Sequence, residues 1–108
     1  MRPYALAFEE ALTLLSSPVP GDLDMYDTLI KAIAAARVLN PRDKLGRWWD
    51  KVTIVLRNHP DMEDFRVAFD LSPEKQDAIF RVAIAIDEGN ATDSQVVIDL
   101  IADAEATS

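Results

Sequence analysis

All six prolines of this 108-residue chain stand where a helical apolar pattern stops or starts, and their placement limits the fold more than any other feature. Proline lacks a backbone donor and clashes with the preceding turn, so a helix carries it only in its first turn. Pro18, Pro20 and Gly21 make one break, and Asn40-Pro41, His59-Pro60 and Ser72-Pro73 make three more. Gly89-Asn90 adds a fifth, of the kind that caps a helix C-terminus.

Between these breaks the apolar residues recur at spacings of three and four, the mark of amphipathic helices. With Pro3 at its first position, a helix is predicted over about residues 3–16, its stripe made by Tyr4, Phe8, Ala11, Leu12 and Leu15. A second follows, capped by Asp22 or Asp24 and striped by Tyr26, Leu29, Ile30, Ile33 and Ala34. In the third, Asn40 is the natural N-cap and Pro41 the first helical residue. Leu45, Trp48, Trp49, Val52 and Leu56 share one face of it, which predicts a helix running to the His59-Pro60 break with both tryptophans as core anchors. The run Val52 to Leu56 is β-branched enough to suggest a strand, but it lacks strict alternation and the helical stripe passes through it.

Asp61, Glu63 and Asp64 open a short fourth helix with Met62, Phe65 and Phe69 inward. The fifth, about 73–88, is apolar on more than one face and is expected at the centre. A sixth, about 93–105, starts from a capping box with Thr92 as N-cap and Gln95 three residues on, and residues 105–108 are expected to fray. The expected architecture is all-α: one domain over residues 1–108, a compact bundle of five to six short amphipathic helices.

Several function classes drop out on composition. Without cysteine there is no disulfide, thiolate metal site or thiol nucleophile, which fits a cytoplasmic setting. No apolar run is long enough to span a bilayer, and Glu9 and Glu10 interrupt what Arg2 and the following residues would offer as a leader. The net charge of −8 disfavours nucleic acid and anionic membranes as direct partners.

That charge is uneven. Residues 37–66 carry seven bases against five acids, whereas residues 67–108 carry only Lys75 and Arg81 against nine acids. The bases Arg42, Lys44, Arg47, Lys51 and Arg57 all fall on the third helix, and a helical wheel places Lys44, Arg47 and Lys51 on a flank roughly opposite the tryptophans. That flank is expected to be a solvated back, pairing with the acidic C-terminal helices. The last two helices have the outline of a helix-turn-helix, but the second of them has no basic residue with which to hold DNA.

No catalytic set is visible. His59, the single histidine, is expected to sit partly exposed at a helix C-terminus, and the serines and threonines fall mostly at caps and breaks. His59 with Asp61 and Glu63, and the cluster Asp22, Asp24 and Asp27, match neither an EF-hand nor a zinc enzyme, and acids at helix N-termini already have a dipole explanation. The three glycines form no phosphate-binding loop. The chain is therefore expected to be no enzyme, and to need neither cofactor nor metal.

What remains is an interaction protein. Asp87, Glu88, Asp93, Asp99 and Asp103 are expected to complement a basic surface on a partner protein, including one that normally holds nucleic acid, in the manner of small phage-encoded inhibitors such as anti-CRISPR proteins. Ile54, projecting to the polar side of its helix, is added as an apolar contact. The alternative is a structural or assembly protein that forms a homo-oligomer through an apolar helix face.

Overall fold

A computed structural model of the chain describes residues 3–52, 55 and 59–107; of Leu45, Asp61 and Ala68 it describes the backbone alone. Six helices stand among these residues: α1 (Ala5–Thr13), α2 (Met25–Leu39), α3 (Lys44–Lys51), α4 (Pro60–Ala68), α5 (Pro73–Asp87) and α6 (Gln95–Ala106). The architecture is all-α, as expected, and its radius of gyration of 13.3 Å is that of one packed domain of this length.

Helix α5 is the centre. Ala78, Ile79, Phe80, Val82, Ala83 and Ala85 are all buried on it, because α1 covers one side and α6 another. Ser72 caps it by accepting from the Lys75 N–H at 3.0 Å, with Pro73 first in the helix. Its far end closes as the Gly89-Asn90 pair predicts. Gly89 takes φ +98°, and the amides of Asn90 and Gly89 turn back to the carbonyls of Ala85 and Ile86.

The aromatic hub of the core joins four elements. Phe8 of α1 lies 5.2 Å from Phe80, 6.0 Å from Phe65 of α4 and 6.4 Å from Trp49 of α3, ring centre to ring centre. Such tilted and edge-on pairs each add about 0.5–1.5 kcal/mol beyond burial. Gln76 adds a polar tie, its amide donating to the Met62 carbonyl at 3.0 Å across the α4–α5 boundary.

Five boundaries differ from the sequence expectation: both ends of α1, both ends of α3 and the start of α6. Helix α1 is shorter at both ends: Tyr4 is the extended residue before it and Leu14 closes it, although Leu15 stays in the core. Pro3 is outside the helix because its carbonyl accepts the Val55 N–H at 2.9 Å.

That same bond explains the largest difference. Helix α3 stops at Lys51 instead of running to His59, and Val52 and Val55 are not helical. Val55, wholly buried, finds its backbone partner on Pro3 instead. Ile54, Leu56 and Arg57 lie outside the described residues.

At its start α3 also differs. Asn40 does not cap it but closes a turn, its side chain accepting from the Arg42 N–H at 3.1 Å and its carbonyl from the Asp43 N–H at 2.9 Å. His59 leads into α4, its carbonyl taking the amides of Met62 and Glu63, rather than serving a helix C-terminus.

Helix α6, finally, is capped by Ser94 and not Thr92. The Ser94 hydroxyl accepts from the Val97 N–H and donates to the Ala91 carbonyl at 2.6 Å. Two contacts hold its last turn. Lys75, 8% exposed, reaches from α5 to the Ala104 carbonyl, and the Glu105 carboxylate accepts the Ser16 N–H at 2.7 Å. A lysine at a helix C-terminus satisfies an orphan carbonyl and the negative end of the dipole together.

Candidate functional site

Helices α5 and α6 form a hairpin that carries all five expected partner-binding acids. Asp87 is the last residue of α5 and Glu88 its C-cap, Asp93 lies in the connecting turn, and Asp99 and Asp103 stand one turn apart on α6. All five are exposed. The hairpin gathers them into two groups, Asp87, Glu88 and Asp93 at the turn and Asp99 with Asp103 along the outer face of α6. Asp99 accepts from Gln95 at 2.7 Å, and Asp103 meets Arg81 of α5 at 3.7 Å. The second pair is solvated on both sides, a kind worth about 0–1 kcal/mol.

The helix dipole makes two of these positions, Asp87 and Glu88, costly. A helix C-terminus favours cations by about 0.3–1 kcal/mol each and disfavours anions similarly. Helices α2, α3 and α4 obey that preference with Arg37, Lys51 and Arg66 in their last turns, while α5 and α6 have no basic residue there. Asp87 and Glu88 oppose the dipole of α5 without a compensating partner among the described residues.

The acids of the first break show the contrast. Asp24 caps α2, taking the Asp27 N–H at 2.7 Å. Asp22 accepts from the Thr28 hydroxyl at 2.7 Å and from Lys31 at 3.0 Å, and Ser17 hydrogen-bonds Thr28 in turn. The Thr28 hydroxyl, then Lys31, hold the Asp22 carboxyl below the usual carboxylate range. The Leu23 amide and Lys31 do the same for Asp27, and the two carboxylates raise the Lys31 ammonium. A Ser–Thr–Asp chain ending in a strongly ionised carboxylate is a poor proton acceptor, so it fastens the loop between α1 and α2 instead of activating Ser17. Among the described residues, no group of three or more histidine or carboxylate side chains converges to hold a metal.

Helix α3 departs from its expected wheel. Trp48 and Trp49 are both half-buried and both pack against the core, as expected, Trp49 beside Phe8; Trp48 also lines an open groove of about 320 Å³ with Lys44, Arg47, Lys51 and Val52. The basic flank is therefore beside Trp48 and not opposite it. The signal was present in the sequence, since Lys44, Trp48 and Lys51 are spaced by four and three. Among the described residues this flank lies against other elements than the acidic hairpin: α3 packs on α2 and α4, with Arg37 meeting Asp50 and Lys44 meeting Asp64. On the Trp49 side, Tyr4, Leu6, Glu9 and Val52 line a second, more apolar groove of about 380 Å³. Glu9 at its edge faces Tyr26, and that carboxylate pushes the phenol's ionisation up.

No known protein family, curated protein or solved structure matches this chain.

Proposed function

We propose that the protein is a non-enzymatic interaction module whose α5–α6 hairpin docks on a basic surface of a partner protein, including one that holds nucleic acid. One observation carries the reading: the α5–α6 hairpin exposes five carboxylates, and two of them, Asp87 and Glu88, close α5 at the end where the helix dipole disfavours an anion. Positions that break a local stability rule without compensation are where function is expected. Asp99 and Asp103 present two charges about 6 Å apart along one face of α6, a short row of anions that a basic surface can meet. A small acidic helical protein of this kind would act as phage-encoded anti-CRISPR-type inhibitors do, by occupying the surface.

The experiment is a competition. Basic nucleic-acid-binding proteins are loaded with a labelled oligonucleotide, and the released fraction is measured as this protein is added. The reading expects release by the wild type, weakened at least tenfold in Asp99→Lys/Asp103→Lys and suppressed by added salt. Release that ignores both the reversal and the salt would remove the electrostatic mechanism. Failure across a panel that includes the protein's own cellular partners would remove the function.

A further inference from the structure

The geometry points to a second copy of this chain as the occupant of the Trp48 groove, seated there through the outer face of its α6. This deepens the hairpin reading and rests on it. The groove side consists of Lys44, Arg47, Trp48 and Lys51, at i, i+3, i+4 and i+7 of α3. Arg47 and Lys51 are exposed and make no ion pair among the described residues. The outer face of α6 consists of Gln95, Ile98, Asp99, Ala102 and Asp103, all exposed, with the same helical period.

The two faces match in charge and in shape. Arg47 and Lys51 stand four residues apart, as do Asp99 and Asp103, so each pair spans about 6 Å along its helix. Laid side by side, two cations meet two carboxylates. The Trp48 indole then faces Ile98, which is 45% exposed, and Ala102, whose small side chain leaves the ring room. Among the described residues neither face is covered within one copy, since α3 packs on α2 and α4 while α6 packs on α5. The pairs given up are solvated ones, Lys44 with Asp64 and Arg81 with Asp103, which cost little to exchange.

A polyanion fits the groove less well. Asp64, its side chain 60% exposed, pairs with Lys44 at the groove's edge, so a nucleic-acid strand passing there meets a carboxylate. A helix face bearing two acids ends before reaching it. Because the two contact faces differ, the contact is head-to-tail and leaves a free end on each copy. One helix against another buries a small area, which places the association in the weak range.

Sedimentation velocity tests the proposal on the intact chain. The wild type is expected to gain weight-average mass with concentration up to about 1 mM in about 0.05 M salt, and to revert to monomer near about 0.5 M. Arg47→Glu/Lys51→Glu and Asp99→Asn/Asp103→Asn are each expected to stay monomeric with unchanged helical circular dichroism. Mixed together they should form a one-to-one dimer and no more, since one retains only the acidic face and the other only the basic one. A wild type that is monomeric throughout overturns the proposal, as does association that survives both double substitutions. Tighter binding of a single-stranded oligonucleotide through Arg47 and Lys51 also overturns it. If Arg47→Glu/Lys51→Glu still releases nucleic acid from a basic partner while the wild type is monomeric, self-docking alone has failed and the hairpin reading stands.

Discussion

Helices α2 to α4 and helices α5 to α6 treat charge in opposite ways. In the first group each helix ends on a base, Asp24 and Asp27 serve the start of α2, and Asp22 is spent on Thr28 and Lys31. In the second, the start of α5 and of α6 is capped by serine, neither helix has a base in its last turn, and Asp87 and Glu88 close α5 where the dipole disfavours them. Yet the second group holds the better-packed interior, with eight buried residues on α5 alone. Packing there outweighs a penalty of about 0.3–1 kcal/mol per acid, which leaves the hairpin's surface free to serve a partner.

The hub shared by both groups is the place to break the comparison most severely. Phe8→Ala removes a wholly buried ring that touches Phe80, Phe65 and Trp49. Its expected cost is about 3–5 kcal/mol in urea unfolding, with both groups of helices lost in one transition. If α5 and α6 kept their helical signal after α2 to α4 had melted, the hub would not couple them.

The caps are the next step down, and they show how far the sequence could be read. Six helices, the central place of α5 and the Ser72-Pro73 start were all legible, because proline and periodicity act locally. The start of α6 was not. Thr92 and Ser94 are both good caps, and Thr92 with Gln95 forms the stronger motif, but Ser94 also donates to Ala91 and closes the turn from α5. The end of α3 failed for a different reason. Helical periodicity continued through Val52, and only the distant carbonyl of Pro3 decides where Val55 finds its partner. The site divided likewise: the acids of α5 and α6 were readable, and so was the spacing of Lys44, Trp48 and Lys51, whereas the open groove beside Trp48 depends on how α3 packs on α2 and α4. Ser94→Ala is expected to cost about 1 kcal/mol and Thr92→Ala less than about 0.5 kcal/mol, measured as paired shifts in denaturant midpoint. Equal costs would mean that the capping box operates after all.

The dipole argument makes a sharper and smaller claim, that stability and binding part company on the hairpin. Glu88→Lys puts a cation at the C-cap of α5, where the last turn has none. The variant is expected to be about 0.3–1 kcal/mol more stable at low ionic strength, an effect that added salt removes, while its competition against nucleic acid weakens. A variant that loses stability and binding together would show that the acid supports the fold, and the contrast between the two groups would lose its meaning.

Gly46 tests the other side at the smallest scale. It lies buried in α3, where alanine would ordinarily gain about 1 kcal/mol in helix propensity. A Cβ there would stand 2.6 Å from Arg37 Nε and 2.9 Å from its Nη2, so the guanidinium must leave its place beside Asp50. Both partners of that ion pair are substantially solvated, which limits the loss to about 0–1 kcal/mol. The two terms nearly cancel, and Gly46→Ala is expected within about 0.5 kcal/mol of the wild type. With Arg37→Ala in place the obstruction is gone, and the same substitution should then stabilise by about 0.5–1 kcal/mol. If it gains nothing in that background, something other than Arg37 requires the glycine, and the orderly charge pairing of α2 with α3 is not what set this residue.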